Sequence, residues 1–386
     1  YNVAVGQEAG RSVTTGIKNT LIGGLAGGGA AITGAGNTLV GYNSGNALTS
    51  GANNTVAGHN AGEALTTGNF NTAFGDEALS TETTGAASTA VGEGALQSQL
   101  LGDTSDSNNV AVGYVAGNKV STGKNNVLLG RAAFNVTTGG DNISIGTNSL
   151  STETTGQRSV AIGTSALAAQ TNSGGGLAYN VAVGFNAGAS VTSGANNMLL
   201  GTDAGQSGSP GGAITTDNNF MVLGDENIAT IRTAVGVTAT SDQRDKTDFT
   251  ALDVGLDFVK ALAPVTYKWD KRANYIDKTD VTTYNEDGSV DHEGWNITTD
   301  LNSITHDGTH KEDWLDIGFK AQEVEALEIA AGYNKNNKTN LVTSITPDGK
   351  SYGLTYEKFI PILVKAIQEQ NALIEALTAR VATLEG

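Results

Sequence analysis

A short phrase recurs along the first 224 residues: Asn, a small or β-branched residue, two apolar residues, then Gly. It stands at Asn2–Gly6, Asn19–Gly23, Asn37–Gly41 and Asn71–Gly75. It returns at Asn109–Gly113, Asn126–Gly130, Asn142–Gly146, Asn180–Gly184 and Asn197–Gly201, with variants closing at Gly58, Gly92, Gly163 and Gly224. The closing glycines mostly lie 16–18 residues apart, with two steps of 21 and a last one of 23. A fixed period over so many copies dictates a solenoid or array, whatever the local propensities say. A longer period lies over the short one. Ser80–Gly85 and Ser151–Gly156 are the same six letters, 71 residues apart, and the two 21-residue steps are also 71 apart. A block of four coils is therefore duplicated.

Each coil reads as a short strand, a glycine turn, an Ala/Leu bend (Glu77-Ala78-Leu79, Gly94-Ala95-Leu96) and a Thr-Thr-Gly or Thr-Ser-Gly turn. One coil cannot bury its own strand, so coils must stack. With about one small apolar row per coil, a single chain gives a thin core, and association of three chains is expected. The threonines read as turn residues, not as a flat ladder on a strand face. The glycine run Gly23–Gly29 lacks the Lys-Ser/Thr ending and the following helix of a phosphate loop and reads as an enlarged loop.

The text changes at Ser241. The 241 residues up to it hold 43 of the 52 glycines and no tryptophan, whereas the remaining 145 hold all three tryptophans and nine glycines. The expected division is 1–224 repeats, 225–241 junction and 242–386 an α+β domain. Within the last, Ala251–Leu262 has helical spacing until Ala263-Pro264, and Val265–Trp269 alternates as a strand. Residues 271–313 are polar, with Asp287-Gly288 and Asp307-Gly308 as turns. Ile317–Val324 reads as a strand entering a helix, Tyr352–Tyr356 as a strand, and 357–385 as a long helix. In that helix Ile360, Ile367, Ile374 and Val381 fill one heptad position and Leu363, Gln370, Leu377 and Leu384 the other, which is coiled-coil spacing.

The chain carries a net charge of −17, spread over both parts (−7 and −10), and no basic stripe, so nucleic acid is not an expected partner. There is no cysteine, and the four histidines (His59, His292, His306, His310) are scattered; no cofactor and no metal site is read. No apolar run is long enough to insert in a membrane. The chain begins at Tyr1 without an initiator Met, which reads as a fragment of something longer.

Two resemblances carry function. Residues 1–224 resemble the head repeats of trimeric autotransporter adhesins and similar repeats of phage fibres. Residues 241–386 resemble the C-terminal intramolecular chaperone of phage tailspikes and tail fibres, a self-cleaving serine endopeptidase family. The matching pieces are Ser241-Asp242-x-Arg244-x-Lys246, Pro264–Tyr267 with Trp269, Gly318-Phe319-x-Ala321-Gln322-Glu323, and Tyr356 with the Pro361–Gln368 helix. Asp245 stands where the family usually has an apolar residue.

This resemblance implies cleavage of the Ser241–Asp242 bond, with Ser241 as nucleophile, Lys246 as base, Asp242 on the leaving side and Arg244 in support. Five residues apart on an α-helix would turn the two side chains about 140° from each other. The segment is then a loop, or the lysine comes from a neighbouring chain. The expected fold is a mainly β repeat shaft, a trimeric β-roll, followed by the chaperone and its coiled-coil helix. The expected protein is the distal part of a homotrimeric tail fibre in the virion. Its partners would be upstream fibre or tail proteins and a host surface glycan or outer-membrane component. The alternatives are a bacterial surface adhesin with the same chaperone, and a glycan depolymerase, for which Asp76-Glu77 and Asp225-Glu226 would point opposite ways on a strand.

Overall fold

The computed structural model describes residues 1–385 except 132–134, 173–175, 229, 235–238, 240, 277, 285–289 and 298–299; for the strands within 278–297 it describes the backbone alone. Contacts divide the chain into two compact units, 1–227 with 277–299, and 228–276 with 300–386.

The first unit is a β-solenoid. Thirteen three-residue strands, β1 (Val3–Val5) to β13 (Met221–Leu223), form one 13-stranded parallel sheet whose spatial order is the chain order. Every strand stacks in register on the next: Thr20 faces Thr38, Leu21 faces Leu39 and Ile22 faces Val40. The closing glycines explain why the phrase ends as it does. From Gly6 to Gly201 they hold φ between +91° and +146°, where L side chains are strained. They also lie on one another: a Cβ on Gly58 would come within 2.1 Å of the Gly75 carbonyl oxygen.

Asn has an equally specific reason. Its side chain is buried and bridges coils. Asn54 Nδ2 donates to the Gly68 carbonyl (2.8 Å), and Asn54 Oδ1 accepts the Asn71 backbone N–H (2.9 Å). The same pair of bonds recurs at Asn37, Asn109 and Asn126. The asparagines therefore satisfy backbone groups that a one-strand coil leaves buried and unpaired.

The core is thicker than one apolar row per coil. The central strand residue (Leu21, Leu39, Val56) is buried, and so are an Ala row (Ala61, Ala78, Ala95) and a third row (Leu48, Leu65, Val120). Volumes are exchanged between rows. Where the strand carries Ala73, Ala90, Ser144 or Ala161, the bend carries buried Leu79, Leu96, Leu150 or Leu167. Where the strand carries Leu39, the bend has Gly45, whose Cβ would meet the Leu39 methyls at 2.8 Å.

The duplicated hexapeptide marks a break in the third row. Glu82 and Glu153 are fully buried there. Glu82 Oε1 accepts from the backbone N–H of Thr83 (2.9 Å), Thr84 (3.1 Å) and Gly85 (2.8 Å), and Oε2 accepts from Gln99 Nε2 (3.0 Å). Glu153 repeats the arrangement with Thr154, Thr155, Gly156 and Gln170. Saturation with N–H donors is what makes a buried carboxylate tolerable. One expectation fails here. Threonine is not confined to turns: Thr20, Thr38, Thr55, Thr72 and Thr89 open five successive strands and stack as a ladder on the outward face, because a β-branched residue fits a pleated edge position.

In the second unit, α1 (Leu256–Ala261), α2 (Ala321–Ala330) and α3 (Phe359–Glu385, 27 residues) share an apolar core of Val254, Phe258, Val324, Val342, Phe359 and Ile362. Strand β14 (Val265–Tyr267) pairs antiparallel with Asp316–Gly318, and Thr343–Ile345 with Tyr352–Leu354. A further antiparallel pair, Lys278–Tyr284 with Val290–Ile297, falls in the segment grouped with the first unit. The first helix is shorter than its spacing predicts. It starts at Leu256 because Gly255 is far from helical (φ −149°, ψ −122°) and the Leu256 N–H is taken by Glu369 of α3 at 2.7 Å. Buried Glu328 of α2 accepts the backbone N–H of Val342 (2.5 Å) and Thr343 (3.2 Å), tying the helix to the 343–345 strand.

Candidate functional site

The segment expected to carry chemistry is a compact turn. Asp242 is extended and caps a single 3-10 turn, Gln243–Asp245, after which Lys246 is extended again. The cap forms because the Asp242 carboxylate accepts the Arg244 backbone N–H at 2.9 Å. The Arg244 guanidinium grips the same carboxylate, with Nη2 at 2.6 Å from Oδ2 and Nε at 3.1 Å from Oδ1. The side-chain bonds from Arg244 first, then its N–H, hold the Asp242 carboxyl below the ordinary carboxylate range.

A tight turn between two extended residues brings the sixth residue back over the first. Lys246 Nζ lies 2.5 Å from Ser241 Oγ and 3.4 Å from the Ser241 carbonyl oxygen. In the single chain the segment is a loop that brings the two side chains together. All six residues, Ser241 to Lys246, are exposed. Asp245, the departure from the family pattern, accepts nothing from Lys246; its backbone N–H closes the turn on the Asp242 carbonyl at 3.2 Å.

The heptad positions of α3 are exposed along most of the helix. Ile360, Leu363, Ile367, Ile374, Leu377 and Leu384 are exposed, whereas Phe359, Ile362 and Ala366 on an adjoining face of its first turns are buried. Near β14, exposed Trp269, Trp314, Leu315 and Ile317 add a second apolar surface.

Other residues singled out in the sequence lie elsewhere. His59 and Asp76 pair on the shaft surface (2.8 Å), and Glu77 bonds Gln97, so the Asp76-Glu77 pair does not converge. His306 and His310 both lie against the Tyr275 ring, His310 edge-on at 4.6 Å between centroids. Among the described residues no group of three or more His, Asp or Glu is placed to hold a metal. Sequence reasoning missed the Arg244–Asp242 clamp; the i, i+2 placement of a carboxylate and a guanidinium around a predicted turn is the signal that could have shown it.

A β-solenoid and a small α+β region with a long C-terminal helix make a fibre- or tailspike-like arrangement of parts. Residues 241–333 match the peptidase family described as "Chaperone of endosialidase", a self-cleaving chaperone domain, and the match begins at Ser241. No curated protein and no solved structure matches the chain.

Proposed function

We propose that the chain is the distal part of a homotrimeric phage tail fibre used in host adhesion. Its C-terminal chaperone assists trimerisation and folding and then cuts the Ser241–Asp242 bond. The observation that carries this reading is the contact between Lys246 Nζ and Ser241 Oγ at the first residue of the chaperone match, in a chain whose preceding unit is a shaft of stacked coils.

A serine hydroxyl needs a base before it can attack a carbonyl. Lys246 serves only as the neutral amine, which calls for a desolvated site. In the single chain the pair is exposed; assembly that covers it would switch it on. Cleavage then reports correct folding. In the reaction the Oγ proton passes to Nζ, an Oγ–C bond forms, and the C–N bond to Asp242 breaks. The proton goes to the departing Asp242 amine, and water hydrolyses the ester. Attack on the serine's own carbonyl closes a four-membered ring, whereas attack on a neighbouring copy's carbonyl closes none. The Arg244 clamp fixes the leaving residue.

Two surfaces support association of chains, and the number three comes from the fibre reading, since Ile at one seam position with Leu at the other by itself favours two strands. One is the α3 heptad seam. The other is the outward sheet face, where Val110, Val127, Ile143, Val160 and Val181 continue the row that Thr20 begins, beside a second row with Ile22, Val40 and Phe74.

The test is denaturing electrophoresis with intact mass on the wild type, Ser241→Ala and Lys246→Ala. Wild type is expected to give two pieces divided at Ser241–Asp242, with both variants whole. Three uncut trimers would sink the chemistry assigned to Ser241 and Lys246. Mixed trimers of tagged Ser241→Ala with wild-type chains separate the routes: the tagged chain is cut only if a neighbour attacks it.

A further inference from the structure

Just before the residue that opens each phrase, most often the buried asparagine, the solenoid makes a left-handed step. Asn53, Asn108, Asn125, Asn196 and Asn219 fill it in five coils with φ between 51° and 68°. Asparagine is the side chain that best tolerates this backbone, and bulky residues there are outliers. Other residues stand there in the remaining coils: Lys18, Gly36, Phe70 and Ala87 (φ 58° to 74°), and, in three neighbouring coils, Asp141 (φ 58°), Arg158 (φ 61°) and Tyr179 (φ 51°). Burial does not compensate. Tyr179 is 43% exposed, and the Arg158 and Asp141 side chains 49% and 41%. Strained residues that present exposed side chains point toward function.

These side chains form one strip along the shaft. Asn108 Nδ2 donates to Asn125 Oδ1 (3.2 Å), and Asn125 Nδ2 donates to Asp141 Oδ1 (2.9 Å). Arg158 Nε lies 3.5 Å from Asp141 Oδ2, and Arg158 Nη1 donates to the Tyr179 hydroxyl at 3.0 Å. Each side chain is held by its neighbour one coil away, so the strip is rigid and repeats at the strand spacing, roughly 4.8 Å.

Resting on the reading of the shaft as adhesive, we infer that the strip from Asn108 to Tyr179 binds a neutral polysaccharide lying along the shaft. The Asp141–Arg158 pair cancels its own charge. Carboxylate and amide oxygens keep lone pairs for hydroxyl groups, and the Tyr179 ring offers a face to a sugar's C–H surface. A polyanion would meet a chain of net charge −17.

The decisive variant is the double substitution Arg158→Asn and Tyr179→Asn. It installs the residue that five other coils use at this step, so melting temperature should hold or rise. The full-length chain and the variant are run on an array carrying dextran, mannan and amylose oligosaccharides, with hyaluronate as the anionic probe. Binding of a neutral glycan that weakens tenfold or more in the variant is the expected result. Equal binding by the variant, or binding to hyaluronate alone, overturns the strip and leaves the adhesive reading standing. Binding to no glycan also overturns the strip, and leaves adhesion to a protein component of the host surface as the form the adhesive reading must take.

Discussion

Asn54→Ala tests whether the asparagine ladder holds the shaft together. Asn54 is fully buried. Truncation leaves the Gly68 carbonyl without its 2.8 Å donor and the Asn71 N–H without its 2.9 Å acceptor, both between stacked coils. Orphaning a buried polar group costs about 1–3 kcal/mol, so two cost about 2–6 kcal/mol per chain. The assay is urea unfolding at one fixed protein concentration, in a Ser241→Ala background so that processing does not alter the species compared. Asn54→Ser should be nearly as damaging. Ser88 replaces Asn in its own coil only because Gln99 Nε2 reaches Ser88 Oγ (2.7 Å) and Gln99 Oε1 accepts from Asn109 (2.9 Å). Leu65 stands in the corresponding place for Asn54 and is buried, so adding Leu65→Gln should return part of the loss. A loss below about 1 kcal/mol for Asn54→Ala, the net worth of an ordinary hydrogen bond, would refute the view that the ladder is needed.

Gly58→Ala should damage the shaft at least as severely, because the added Cβ meets backbone oxygen at 2.1 Å and φ is +146°; circular dichroism and melting of the purified variant check it. Glu328→Ala strips the acceptor from the Val342 and Thr343 N–H groups and should cost about 2–6 kcal/mol in thermal unfolding of the chaperone region. Asp242 has a folded pKa below its unfolded value of about 3.9, so its clamp to Arg244 is fully present above that pH and is lost as pH falls through the lowered folded value. An NMR titration of the Asp242 carboxyl should give a midpoint under about 3.9 that climbs toward it in Arg244→Ala; an unchanged midpoint rejects the clamp.

Repetition made the shaft legible, since each closing glycine and each asparagine states the same backbone demand many times. What a period cannot state is which atoms the repeated residue satisfies. The role of Asn54 depends on the carbonyl of Gly68 in the next coil, a partner set by coil length and not by any neighbouring letter. The swap of Ala73 with Leu79 against Leu39 with Gly45 was readable as composition but not as packing, because it needs the bend folded back over the strand. In the second unit, the helix expected from 251 starts only at Leu256, because a carboxylate more than a hundred residues away takes its first N–H. Ser241 and Lys246 stand out in the sequence through the family resemblance alone, and the structure puts their side chains in contact. The 3-10 turn that closes the pair was not legible, because it depends on Asp242 capping Arg244.

In-register stacking of one strand per coil gives the shaft a unit of length. A duplicated block of four coils adds four strand spacings, roughly 19 Å, and returns the chain to the same lateral position with the same glycine, asparagine and bend facing the next coil. Reach can therefore be lengthened or shortened in whole blocks by duplicating or deleting DNA, while the end that feeds into Ser241 never has to be redesigned.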